Sequence, residues 1–142
     1  MEQWKDIQGF EGLYKVSSFG RVVRYARTYF CCCNKHLPEN DIKGDLCRGY
    51  HRVTLYSNKS KKRIFVHRLV AETFMPNDEN KPEIDHIDGN PLNNNISNLR
   101  WCNHKENLNN PITRKRKSEA TKRFYERSKK NDLYCITRIS KR

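Results

Sequence analysis

Long apolar runs are missing from this 142-residue chain, and none approaches the roughly 20 residues that a membrane-crossing helix requires. The first ten residues, MEQWKDIQGF, lack a basic stretch followed by an apolar one, so no secretory signal is read there. These absences lead to the expectation of a cytoplasmic protein with no membrane partner, whose six cysteines stay mostly reduced. Acidic residues are also scarce, with 16 Asp and Glu against 29 Lys and Arg, for a formal net charge of +13. Such an excess points to a polyanion, most often nucleic acid. A membrane surface is the weaker candidate, because no long basic helix carries a clean apolar face. Paired C-x-x-C knuckles are absent as well. Cys31, Cys32, Cys33, His36 and Cys47 leave zinc open, with free thiols the plainer reading, and Cys102 and Cys135 stand alone. Only 35% of residues are hydrophobic, which predicts a thin core of the kind a metal or a bound partner often supports.

What is present is punctuated by turns. Residues 4–23, WKDIQGFEGLYKVSSFGRVV, place Gly9, Gly12 and Gly20 between short aromatic and β-branched runs, which predicts short strands and tight turns. Residues 28–45 contain Pro38 and Gly44 and read as an irregular loop. Residues 49–56 and 62–66 flank the polar turn SNKSK and predict a hairpin. In VHRLVAETF, Val66, Leu69, Val70 and Phe74 recur at helical spacing, and Pro76 follows as a stop. A second pattern begins at Glu83. Residues 83–87 read as a short strand, Asp88-Gly89-Asn90-Pro91 as a turn, 93–98 as an Asn-rich loop and 99–102 as the return strand. Asn103 then reads as the N-cap of a helix, with Glu106 three residues later. Residues 113–130 form a charged helical segment with a weak apolar face at Ala120 and Phe124.

The residues with chemical potential sit in the strand–loop–strand–helix stretch. Asp85 and His86 are adjacent on its first strand, and Asn107 lies on its helix. Asp and Asn offer the oxygen ligands that a hard divalent cation prefers. A neutral His near pH 7 can take a proton from an attacking water. This composition suits phosphodiester hydrolysis, although a turn-capping Asp and a packed His explain the same residues without catalysis. His67 reads as a packed side chain, Trp101 as core and His104 as a bystander one turn before Asn107. Arg68 and Arg100 read equally as phosphate contacts or as braces of the fold.

The stretch 66–110 resembles the HNH nucleases of phage and intron homing elements. VHRLVAETF and IDHIDGNPLNNNISNLRWCNHKENLNN carry the match, through a D-H-x-D-G-N opening, an N-x-x-N-L-R-W return and a K-x-N ending. WKDIQGFEGLYKVSSFGRV resembles the nuclease-associated modular DNA-binding segment that commonly precedes such units. The resemblance implies an α+β protein in three parts: a small antiparallel β DNA-binding module over 1–56, a ββα-metal nuclease unit over 57–110 and a basic helical tail over 111–142. It also implies site roles. Asp85 and Asn107 match the metal-binding positions, His86 matches the general base, and Asn98 matches the middle Asn that keeps loop and strands in register. Asn107 stands where many relatives have His. One Mg²⁺ or Mn²⁺ per active site follows from the same resemblance.

Arg114, Lys115, Arg116, Lys117, Lys122 and Arg123 are the expected contacts of the tail with double-stranded DNA, through phosphates. A solvated charged tail is the plain alternative. One HNH unit in a monomer implies nicking of one strand, in the host cytoplasm if the gene is carried by a phage. A non-catalytic DNA-binding or regulatory protein on the same fold is the competing reading. An RNA-binding module is a third, though the aromatic signatures of common RNA readers are lacking.

Overall fold

A computed structural model describes residues 1–29, 35–57 and 60–139, with backbone alone for residues 29, 117 and 128–139. The chain forms two units, residues 1–104 and 105–142. The first begins with β1 (Trp4–Asp6), β2 (Tyr14–Ser17) and β3 (Val22–Arg24), each antiparallel to the last. Gly9, Gly12 and Gly20 all adopt positive φ at the turns, a conformation glycine reaches without a Cβ clash. The short strands and turns expected over residues 4–23 are therefore found.

The expected irregular loop is corrected. Within residues 27–47 lie β4 (Arg27–Tyr29), β5 (Lys35–Leu37), β6 (Asn40–Asp41) and β7 (Asp45–Cys47). β4 pairs with β5, β6 extends the first sheet beside β3, and β7 pairs with β8 (Tyr50–Tyr56). These strands are two or three residues long and mostly exposed, so backbone pairing holds them without an alternating apolar pattern. Cys31, Cys32 and Cys33 lie outside the described residues, while Cys47 and the buried Cys102 form no disulfide among the described residues.

β8 and β9 (Lys61–Phe65) form the expected hairpin, and α1 follows at once over Val66–Phe74. α1 buries Val66, Leu69 and Val70 of the expected stripe together with Ala71, while Phe74, the fourth member of that stripe, is half-buried. Val66, Leu69 and Val70 join one core with Tyr14, Val16 and Val22 from the N-terminal strands, Ile7 and Phe10 from the turn between β1 and β2, Val53 and Leu55 from β8, and Leu99. The N-terminal strands and the later segment thus share apolar interior. β10 (Glu83–His86) pairs antiparallel with β11 (Leu99–Cys102), setting Asp85 opposite Arg100 and His86 opposite Leu99. α2 (His104–Leu108) starts straight after.

The second unit carries α3 (Pro111–Ile139). Its start is built by rule: the Asn110 side chain accepts from the Ile112 amide at 3.0 Å, and Pro111 takes the first helical position, where no amide hydrogen is needed. The helix runs past the expected end near residue 130. Antiparallel strands with a C-terminal helix make the fold α+β, as the sequence implied. No described helix is long and apolar enough to cross a membrane.

Candidate active site

β10 ends at His86, and residues 87–98 leave and return to the strand pair as a loop dense in Asn. Asn98, only 8% exposed, ties this loop to itself. Its amide oxygen accepts from the Asp88 backbone at 2.9 Å. Its Nδ2 donates to Asp88 Oδ1 and to the Asn93 carbonyl, both at 2.9 Å. Asp88 in turn accepts from Asn93 Nδ2 at 2.8 Å and from the Asn90 backbone at 2.7 Å. Its carboxyl is held below the usual carboxylate range, chiefly by the Asn93 amide. The loop is also seated from outside. The Ile96 amide donates to the Ser18 carbonyl at 2.8 Å. At Gly20, an added Cβ would lie 2.6 Å from Asn94 Cβ.

Asp85 and His86 are both buried, at 5% and 6% exposure. Asp85 Oδ2 accepts from Arg100 Nε at 2.9 Å and from Nη2 at 2.6 Å. The carboxylate thereby keeps the countercharge that a buried charge requires. His86 Nε2 stands 3.5 Å from Asn94 Oδ1. Its ring lies among aromatic neighbours, with the Tyr50 centroid at 5.9 Å and the His67 centroid at 5.3 Å. Burial lowers the His86 pKa, against the opposing pull of the Asn94 amide and the Asp88 and Asp85 carboxylates. His67, stacked on Phe65 with its Nδ1 buried and unpaired, is pushed down to about 4 by burial first and by the nearby His86 and Arg68 second. Both imidazoles therefore favour the neutral form at pH 7.

The strand pair and its loop bring Asp85, His86 and Asn98 into one neighbourhood. Asn107 lies on α2, half-buried, with its carbonyl accepting from the Asn110 amide at 3.3 Å. In α3, Arg114, Lys115, Arg116, Lys122 and Arg123 are exposed, and the Lys117 side chain lies outside the described residues. Among the described residues no three His, Cys, Asp or Glu side chains converge as a metal group. A cation at Asp85 would therefore draw further ligands from amide oxygens, water and phosphate. Such a donor set fits a hard divalent ion better than zinc.

Two side chains outside the sequence expectation join the site. Asn94 faces His86, and Tyr50 packs on it from β8. Asn94 was signalled only by its place in the Asn run, and Tyr50 had no signal, since it approaches through the fold. Arg68 braces instead of pointing at the site, donating to the Pro82 carbonyl at 3.1 Å. His104 pairs with Glu83 at 2.9 Å, and half-buried Trp101 donates to the Met75 carbonyl at 3.3 Å.

A paired-strand unit with a buried Asp-His at its first strand and an Asn-tied loop defines the HNH class of nuclease segments. Residues 65–109 match the HNH endonuclease family model, and residues 2–56 match the NUMOD4 motif. The chain is similar in sequence to HNH endonucleases. It is 40% identical to DNA endonuclease I-HmuI of Bacillus phage SP01 over 79% of this chain and 59% of that protein. An HNH endonuclease of Acanthamoeba polyphaga mimivirus, L245, is 35% identical over 87% of this chain and 34% of its own length. The solved structure of the HNH homing endonuclease I-HmuI, which binds and cleaves DNA, aligns with a TM-score of 0.60 at 38% identity. That alignment covers 79% of this chain and 59% of the other. The chain thus spans about three-fifths or less of these relatives' lengths.

Proposed function

We propose that this protein is a metal-dependent DNA endonuclease of the HNH homing type, hydrolysing phosphodiester bonds and nicking one strand of duplex DNA. The observation that carries the reading is the buried Asp85–His86 pair, held at the mouth of an Asn-tied loop within the HNH-matching segment. His86 acts as general base on the attacking water. Burial favours its neutral form, and the Asn94 amide oxygen facing Nε2 suits the tautomer with its proton there, placing the basic lone pair on Nδ1. Asp85, with Asn107 carried over from the family pattern, would hold one Mg²⁺ or Mn²⁺. When bound, that ion neutralises charge on the phosphate and on the leaving oxygen. Asn98 keeps the loop in register so that Asp85 and His86 stay in place.

Residues 1–56 are proposed as a DNA-binding module, 57–110 as the nuclease unit and 111–142 as a phosphate-tracking tail. Arg114, Lys115, Arg116, Lys117, Lys122 and Arg123 make its contacts. One unit per monomer attacks one strand per binding event.

Supercoiled plasmid is the test substrate. With Mg²⁺ or Mn²⁺, open-circle product should form before linear product, and EDTA should stop the reaction. A shift of DNA mobility without cutting would favour a non-catalytic binding protein. Cleavage in EDTA would reject the metal.

A further inference from the structure

The imidazole of His86 packs among other rings, and one of them comes from outside the nuclease segment. Tyr50 lies 5.9 Å from it and His67 5.3 Å, centroid to centroid, and those two lie 5.2 Å from each other. Phe65 backs both, at 5.9 Å from Tyr50 and 5.5 Å from His67. These spacings fall in the range at which aromatic pairs attract. Phe65, His67 and His86 belong to the stretch that matches the HNH endonuclease family, residues 65–109, whereas Tyr50 belongs to the stretch that matches the NUMOD4 motif, residues 2–56. The turn into β8 sets its place. Arg48 and Gly49 have φ of 53° and 84°, positive at both central positions as a two-residue hairpin turn of type I′ requires, and Tyr50 follows, paired with Cys47. Strand alternation then sends Val53 and Leu55 to the core and Tyr50 to the opposite face, on the diagonal to Phe65.

We infer that the N-terminal module completes the active site: Tyr50 is a positioning residue whose ring holds the His86 imidazole in the orientation that proton transfer needs. This role rests on the proposed one of His86 as general base. The torsion that turns an imidazole about its Cβ–Cγ bond has broad preferences, so packing, and not rotamer choice, sets which way each nitrogen faces. His67 meets the His86 ring edge to face, at 77°, and Tyr50 meets it at a tilt of 41°, and together the two contacts restrict that rotation. Tyr50 is the open member of the set, at 37% exposure against 6% for His86, so its loss would free the ring with little damage to the core. The same N-terminal stretch also seats the Asn-rich loop, through the Ser18 carbonyl and the close approach of Gly20 to Asn94. The first 56 residues thus act in the chemistry as well as in any hold on DNA.

The experiment is single-turnover nicking of supercoiled plasmid by the full chain, at saturating enzyme with Mg²⁺, with duplex affinity and a thermal melt measured for each variant. Tyr50→Ala should nick about 10–100-fold more slowly than wild type at equal DNA occupancy, the scale on which a small misplacement of a reacting group is felt. Tyr50→Phe keeps the ring contact and should restore the rate to within about threefold of wild type. The double variant is diagnostic. If Tyr50 acts through His86, adding Tyr50→Ala to His86→Ala should slow the residual rate, followed over long incubation, by less than about twofold. A merely structural loss, or a direct contact with DNA, would slow both backgrounds alike. A folded Tyr50→Ala that nicks at the wild-type rate overturns the inference, as does equal slowing in both backgrounds, or a Tyr50→Phe as slow as Tyr50→Ala. Should Tyr50→Ala not fold, Tyr50→Leu, which fills the space without a flat face, is read in the same way. His86→Ala alone separates the two layers. If it nicks as fast as wild type, the general-base assignment fails and the role of Tyr50 with it; if it is slow while Tyr50→Ala is not, only the role of Tyr50 fails.

Discussion

Replacing Asn98 with Ala removes three side-chain hydrogen bonds at once: one accepted from the Asp88 amide, one donated to Asp88 Oδ1 and one donated to the Asn93 carbonyl. Each such bond contributes about 1 kcal/mol net, so the loss approaches roughly 3 kcal/mol where water cannot compensate. Asp88 is exposed, and water there recovers part of the loss. The Asn93 carbonyl is half-buried and recovers less. We therefore expect a destabilisation of about 2–3 kcal/mol, a fall in Tm on the order of 10 °C for a unit of this size. The same substitution frees residues 88–98 from β11, so the backbone amides of Asp88 and Asn98 should lose hydrogen-exchange protection before the core strands do. Equilibrium urea unfolding gives the first number, and exchange measured residue by residue gives the second. A stability change under about 0.5 kcal/mol would refute the idea that Asn98 organises the loop.

Three further outcomes are expected. Gly20→Ala places a Cβ against Asn94 at a backbone φ of +83°, so it should destabilise by about 1–3 kcal/mol and slow any cleavage, as urea melts and plasmid assays would register. Acid should weaken the fold through His67. Its pKa of about 4, below the ordinary 6.5, means the unfolded chain binds the proton more readily, so the contribution is complete above pH 6.5 and is lost as pH falls towards 4. The loss is at most about 3 kcal/mol, and His67→Phe should flatten the profile of urea midpoints between pH 7.5 and 4. Neutralising Arg114, Lys115, Lys122 and Arg123 with Gln should flatten the salt slope of duplex binding by about 3–4 units if all four meet phosphates, and an unchanged slope would remove the tail from the interface.

Much of this was legible before any coordinates. The stripe Val66, Leu69, Val70 and Phe74 announced α1, and its buried face follows that spacing. The turn Asp88-Gly89-Asn90-Pro91 announced the break between β10 and β11. The strands within residues 27–47 were hidden because they bury little and pair through backbone alone, which leaves no alternation to read. At the site, Asp85 and His86 stood out as a neighbouring pair, but their partners did not. Arg100 becomes the partner of Asp85 only once strand register sets them opposite, and Tyr50 reaches His86 from a hairpin far away in sequence. The core shared between the N-terminal strands and α1 is invisible for the same reason, since both segments show only ordinary amphipathic patterns.

The central claim is that His86 activates water for phosphodiester hydrolysis, and cleavage under single turnover at saturating enzyme tests it most directly. With Mg²⁺ at neutral pH, His86→Ala should bind the same duplex with nearly unchanged affinity yet convert supercoiled plasmid to open circle about 10²–10⁴-fold more slowly than wild type. A rate within about threefold of wild type, at equal DNA occupancy, would contradict the assignment of His86 as the general base.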